Sequence, residues 1–211
     1  YFSLEDGRLI IALADVTGHG MKAAIPTMVF SGLLATQIGY TPTPQELMPR
    51  LNNSLHRVLE RRTFVCVTMA ELDPNAGKLR LSNGGCPYPF VFRAATQMVE
   101  EIDLSAFPLG IRAESTYPVA EIELADGDLV VLCSDGIIEA SDSSGDLFGF
   151  DRTAETIRQM GRQNASAAQL VDHMFDAVEA FSAAGAPEDD QTMVAIRVEA
   201  TADIEHIMPE N

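Results

Sequence analysis

Six short strand-like runs follow one another at residues 64–72, 78–81, 90–92, 98–102, 117–124 and 129–133, with no helical periodicity among them. The first two are joined by Asp73-Pro74-Asn75-Ala76-Gly77, in which Asp, Pro, Asn and Gly each favour a turn for their own chemical reason, so they read as a hairpin. The last two are separated by the turn Asp126-Gly127-Asp128. The middle of the chain therefore reads as antiparallel β-structure.

Helical patterns lie on either side of this block. Residues 8–14 form a continuous aliphatic run, short enough for a buried strand, that ends on Asp15 and the glycine-rich turn Val16-Thr17-Gly18-His19-Gly20. The apolar stretch at residues 23–40 is broken by Pro26, Thr27, Ser31, Thr36 and Gln37, which argues for a buried helix packed on both sides and against a membrane span. Thr43-Pro44-Gln45-Glu46 has the form of a capping box with Pro at the first helical position. In the helix it opens, Leu47, Leu51, Leu55, Val58 and Leu59 recur on one face and Arg50, His56, Arg57 and Glu60 on the other. A second capping box, Ser166 to Gln169, precedes Leu170, Met174, Val178 and Phe181, predicting a helix to about residue 184, and a last strand is expected at residues 191–198. Helices and strands are segregated instead of alternating, which predicts an α+β fold. With 211 residues and no repeat or linker, one domain over residues 1–198 and a polar tail over 199–211 is the expected organisation.

Charge narrows the function. Fourteen Lys and Arg face 31 Asp and Glu, for a net charge of −17. Such a surface repels nucleic-acid phosphates and anionic lipid, so no nucleic-acid partner and no membrane insertion are expected. A phosphate-bearing ligand would need another source of positive charge, and metal ions are the obvious one. Cys66, Cys86 and Cys133 are odd in number, widely spaced and set among apolar residues, which suits reduced thiols in a cytoplasmic protein. The chain opens on Tyr1-Phe2-Ser3 without an initiator Met or signal peptide, and the expectation is a domain cut from a longer polypeptide with a truncated N-terminal edge.

Three acidic positions carry the chemistry. Asp15 follows one apolar strand, Asp135 in Ser134-Asp135-Gly136 follows another, and Asp189-Asp190 precedes the last. Strand ends are rigid, and carboxylates gathered there suit hard divalent cations, which can hold a water that ionises near neutral pH. Singly, an Asp before Gly is ordinary turn chemistry. Gly84-Gly85 lacks the Lys-Ser/Thr of a phosphate-binding loop and reads as a turn; no Gly-x-Ser-x-Gly elbow occurs, and no Cys has a basic neighbourhood, which disfavours covalent mechanisms.

Together, Asp15-Val16-Thr17-Gly18-His19-Gly20, Ser134-Asp135-Gly136 and Asp189-Asp190-Gln191-Thr192 resemble, in order and approximate spacing, the bacterial PPM-type serine/threonine phosphatases of the SpoIIE-like branch. Phe107-Pro108-Leu109-Gly110-Ile111 and the segment from Ser82 to Pro89 add to the likeness, which spans nearly the whole chain. The resemblance implies a four-layer αββα sandwich of two antiparallel sheets flanked by helices, with two Mn²⁺ or Mg²⁺ ions at one edge. Asp15 would bridge both ions, the main-chain carbonyl of Val16 would bind one, and Asp135 and Asp189 would complete the other, with Asp190 at a neighbouring position. It implies a protein phosphatase acting on phosphoserine or phosphothreonine by attack of a metal-bridged hydroxide, with His19 as proton donor to the leaving alkoxide or, equally, as a residue that caps the turn.

The same resemblance implies the partners. They are a phosphorylated anti-anti-sigma-like substrate, an upstream sensor or receiver domain coupled through the two N-terminal helices, and a homodimer. Two departures stand out. The family's Gly-Gly-Asp motif upstream of the first strand is outside this chain, removing one outer carboxylate, and its usual Asn-Ala-Gly-His is here Asn83-Gly84-Gly85-Cys86, leaving Cys86 a packing role. The alternative is a non-catalytic phosphatase-fold module that binds a signalling partner; a calcium-binding domain finds no Asp-x-Asp-x-Asp-Gly run.

Overall fold

The uninterrupted aliphatic run after Arg8 is explained by a strand covered on both faces. In β2 (Leu9–Val16), Ile10 joins a core cluster on one side and Ile11 and Leu13 a different cluster on the other. The computed structural model describes residues 1–18, 21–40, 43–60, 62–182 and 189–199. The elements are β1 (Phe2–Ser3), β2, α1 (Met21–Gln37), α2 (Pro44–Val58), β3 (Val65–Asp73), β4 (Lys78–Gly84), β5 (Phe90–Arg93), β6 (Met98–Glu101), β7 (Val119–Glu123), β8 (Leu129–Cys133), α3 (Asp135–Ile138), α4 (Gly149–Arg162), α5 (Ala167–Phe181) and β9 (Met193–Arg197).

Strands β1-β2-β3-β4-β7 form one sheet and β6-β5-β8-β9 a second, with every pairing antiparallel. Ile11, Leu13, Leu79, Leu81, Val130 and Leu132 fill the space between the sheets. The outer face of the first sheet is covered by α1 and α2 through Phe30, Leu34, Leu47, Leu51 and Leu55. The outer face of the second meets Ile157 of α4 and Leu170, Met174 and Val178 of α5. These are the four layers of an αββα sandwich. A fully buried Leu such as Leu47, Leu51 or Leu55 contributes about 1.5–3 kcal/mol from its removal from water, which holds the short helices onto the sheets.

The β3–β4 hairpin forms as the turn chemistry predicts. Asp73 Oδ1 accepts the amides of Asn75 (3.1 Å) and Ala76 (3.0 Å), and Gly77 takes φ +61°. Ser166 and Gln169 make both bonds of a capping box at α5. Four features differ from the sequence expectation. Thr43 caps α2 in extended geometry without a side-chain bond to the backbone, its hydroxyl lying 3.4 Å from the Glu46 carboxylate instead. Helix α1 is not packed on both sides: Pro26, Phe30, Leu34 and Ile38 form one buried stripe, while Ile25 is 63% and Met28 75% exposed.

Helix α4 has no counterpart in the sequence reading, because its buried face is built from Thr153, Thr156, Ile157, Met160 and Gly161, with only two large apolar side chains, and its amphipathic period lies in the charged residues of the opposite face. A Cβ on Gly161 would lie 2.6 Å from the Phe92 ring, so glycine is what lets α4 sit this close to β5. Val58, expected on the apolar face of α2, is 61% exposed at the end of that helix. The turn Asp126-Gly127-Asp128 forms where expected. It carries the chain from β7 in the first sheet to β8 in the second. The tail beyond residue 199 lies outside the described residues.

Candidate metal centre

Strand alternation brings the acids together. Ile11, Leu13 and Asp15 follow one another at intervals of two on β2, so Asp15 continues the inter-sheet face to the mouth of the sandwich, opposite Cys66 on β3. In the second sheet β8 ends at Cys133, Ser134 caps α3, and Asp135 is the first residue of that single turn. Because β9 pairs with β8 from Cys133↔Met193 onward, the segment before Met193 returns beside Asp135 and delivers Asp189. One carboxylate oxygen from each of Asp15, Asp135 and Asp189 lies within 4.8 Å of the others. Asp15 and Asp135 are half-buried and Asp189 is exposed.

Three small residues fix this arrangement, and the sequence reading names all three within motifs without giving them a role. The Ser134 hydroxyl donates to the Asp190 carbonyl (3.0 Å) and accepts from the Thr192 amide (2.9 Å), tying the Asp189–Asp190 segment to the end of β8. Gly136 allows the approach: a Cβ there would lie 2.5 Å from the Asp190 carbonyl oxygen. Thr17 locks the end of β2, its hydroxyl donating to the Phe64 carbonyl (3.2 Å) and accepting from the Phe64 amide (3.1 Å). Ser134 and Gly136 are part of the Ser-Asp-Gly motif, where a hydroxyl and a missing side chain flanking an acid were the available signal.

The electrostatics are those of a site that lacks positive charge. Burial, followed by the neighbouring charges of Asp135 and Asp189, holds the Asp15 carboxyl above its ordinary value. Asp135 Oδ1 is buried without a hydrogen-bond partner. Asp189 Oδ1 accepts the Asp190 amide at 2.8 Å, which orients its carboxylate. Three convergent carboxylates, one with an orphaned buried oxygen, form an all-oxygen donor set that fits a hard divalent cation.

The other predicted positions fall as follows. Val16 ends β2 beside Asp15, with its side chain in the core under the helices. Asp190 contributes main-chain groups to the docking of its segment, and its carboxylate is not among the three that converge. His19 lies outside the described residues. Cys86 is buried, with Asn83 Oδ1 accepting its amide (3.0 Å) and Asn83 Nδ2 donating to its carbonyl (2.8 Å), a packing and turn role. All three thiols are free, and burial pushes each up to about 12.

Comparison with known proteins agrees with this geometry. The family model described as Stage II sporulation protein E (SpoIIE) matches residues 5–199. Two curated proteins of Bacillus subtilis (strain 168) are similar. Phosphoserine phosphatase RsbP is 22% identical over 147 residues, 68% of this chain and 36% of that protein, and phosphoserine phosphatase RsbU is 21% identical over 145 residues, 69% of this chain and 43% of that protein. The chain thus spans less than half the length of either. Among solved structures, the SiaA-PP2C domain of Pseudomonas aeruginosa superposes with a TM-score of 0.80 at 19% identity, covering 90% of this chain and 76% of that one. The PP2C phosphatase domain of SpoIIE from Bacillus subtilis, solved with a fragment of its regulatory domain, gives 0.78 at 20% identity, covering 92% and 56%. A family match over nearly the whole chain, with the same fold beneath it, means that this chain belongs to the SpoIIE family of bacterial PPM-type phosphatase domains.

Proposed function

We propose that this domain is a metal-dependent protein phosphatase that hydrolyses phosphoserine or phosphothreonine on a regulatory protein. The observation that carries the reading is the convergence of Asp15, Asp135 and Asp189, with the unpartnered Asp135 Oδ1 among them. A fold that packs these charges together gains stability only when cations share the site. Asp15, on a rigid strand end, Asp135 and Asp189 would hold the ions, with the Val16 carbonyl and Asp190 as the adjoining oxygen donors. Mn²⁺ or Mg²⁺ bound there supplies an acidified water and neutralises the phosphate oxygens. His19 is the proposed proton donor to the leaving serine or threonine oxygen.

The names of the similar proteins, phosphoserine phosphatases RsbP and RsbU, support the reaction class. A phosphorylated anti-anti-sigma-like protein as substrate, an upstream sensor or receiver domain acting through α1 and α2, and a homodimer are parts of the same proposal and rest on the resemblance. The three free thiols support a reducing, cytoplasmic setting. Among the described residues no helix is long and apolar enough to cross a membrane.

The test is hydrolysis of p-nitrophenyl phosphate with added Mn²⁺, with and without chelator, with circular dichroism as the check on folding. Turnover that appears with Mn²⁺ and vanishes in chelator while the fold survives is the expected result. Full turnover in chelator removes the metal mechanism. Mn²⁺ binding without any turnover leaves the non-catalytic partner-binding module as the reading.

A further inference from the structure

A groove of about 990 Å³ opens at the end of β4. Its floor is the connection after β4, at Gly85 and Cys86, and its walls come from the loop before β7 and from Tyr88 and Phe150. The walls are braced: Tyr88 Oη and Ser105 Oγ are 2.8 Å apart, and the Tyr88 and Phe150 rings lie 6.0 Å apart. Phe107 is 47% exposed on the rim, with the Arg112 guanidinium 3.6 Å from its ring centroid. Arg112 forms no ion pair among the described residues and is the one Lys or Arg among the residues that line the groove. An aromatic held exposed by an otherwise unpaired cation, beside an apolar cleft, is the make-up of a peptide-docking surface.

Position connects this groove to the candidate metal centre. Asp15 is paired across the ladder with Cys66, and a Cβ on Gly85 would lie 3.1 Å from the Cys66 Sγ. The groove therefore begins two strands from Asp15, about 10 Å at the usual spacing between strands. An extended peptide advances about 3.3 Å per residue, so a chain with its phosphoserine at the aspartates brings the residue roughly three positions away to the near end of the groove and the residues beyond it along the groove.

We propose that this groove takes the segment flanking the phosphorylated residue of a protein substrate, with an apolar side chain against Pro108 and Phe150 and an acidic residue on Arg112, both about three to five positions from the phosphoserine. The inference rests on the phosphatase reading above and adds the substrate class to it. On a chain of net charge −17, an acidic segment is repelled almost everywhere, so an unpaired Arg at the mouth of the groove gives local selection. Glu114 stands on the same wall, so only an acid seated opposite Arg112 gains.

The experiment compares two synthetic phosphoserine peptides with Leu at the third residue on each side of the phosphoserine. One carries Asp and the other Lys at the fourth and fifth residues on each side. Both are turned over with Mn²⁺ by the wild type, Arg112→Glu and Arg112→Gln, and p-nitrophenyl phosphate is run in parallel with the wild type. The wild type should favour the Asp peptide by about fivefold in kcat/KM, the upper range for one rim ion pair. Arg112→Gln should bring the ratio near one and Arg112→Glu below it. A ratio near one in the wild type, or one unchanged in both variants, overturns the groove assignment while p-nitrophenyl phosphate turnover keeps the phosphatase reading. Failure of the wild type on all three substrates overturns both.

Discussion

Replacing Gly136 by Ala tests how the metal centre is assembled without touching any ligand. The added Cβ would sit 2.5 Å from the Asp190 carbonyl oxygen, 3.0 Å from its carbonyl carbon and 3.4 Å from that of Asp189. An ordinary contact needs about 3.5 Å, so the Asp189–Asp190 backbone must retreat by about 1 Å. It cannot do so freely, because Ser134 holds it through the 3.0 Å bond to the Asp190 carbonyl and the 2.9 Å bond from the Thr192 amide. Metal–oxygen distances tolerate only about 0.2 Å, and loss of the groups that orient a ligand typically weakens metal binding about 10–100-fold.

At a fixed excess of Mn²⁺ that change removes about 1.4–2.7 kcal/mol of metal-linked stability, a Mn²⁺-induced rise in Tm smaller by about 3–10 °C for a domain of this size. The overpacking itself should lower the metal-free Tm, by a cost of about 1–3 kcal/mol. Thermal melts across a Mn²⁺ titration, with calorimetric Kd values, measure both. In the double variant with Asp189→Asn, Gly136→Ala should add little to the loss in affinity, since both act through the same carboxylate. A Gly136→Ala protein that binds Mn²⁺ with the wild-type Kd would refute the placement of Asp189 in the centre.

Asp15→Asn probes the same site through pH. The fold holds the Asp15 carboxyl above its ordinary value, so its contribution to stability is complete below the unfolded value of 3.8 and is lost as pH rises through the folded one. In chelator at pH 7 the variant should therefore melt above the wild type, with the gap closing toward pH 4; a variant less stable at pH 7 contradicts this. Leu51, fully buried under α2, should cost about 2–5 kcal/mol when cut to Ala, read as a lower urea midpoint with unchanged m-value. With thiols pushed up to about 12 by burial, Cys66, Cys86 and Cys133 should react with a disulfide reagent at pH 7.5 only after unfolding, and rapid labelling of the native protein would show that the packing around them is wrong.

Much of this architecture is legible locally. The aliphatic run before Asp15, the hairpin turn at residues 73–77, the leucine stripe of α2 and the Ser166–Gln169 capping box each follow from interactions between residues close in sequence, and each forms. Helix α4 escaped because Thr153, Thr156 and Gly161 bury without being apolar. Helix α1 was misjudged because its apolar residues run all round it, although one stripe suffices to seat it on the sheet. The three acids could be nominated from strand ends and motif spacing, whereas Ser134, Gly136 and Thr17 could not be given their clamping roles until the distances to Asp190, Thr192 and Phe64 were known.

The sequence by itself determined the α+β class, the identity of the acids and the order of most elements, though not of α4, because propensity, periodicity and turn chemistry act over a few residues. Only the tertiary structure decided that β7 and β8, four residues of turn apart in the sequence reading, belong to different sheets, that Asp15, Asp135 and Asp189 meet within 4.8 Å, and that a groove lined by Gly85 and Arg112 begins beside Cys66, the ladder partner of Asp15. Those outcomes depend on strands that pair at separations as wide as that of Leu129 and Arg197 and on which sheet faces then pack together, and a contact at that separation leaves no mark on the local pattern of either partner.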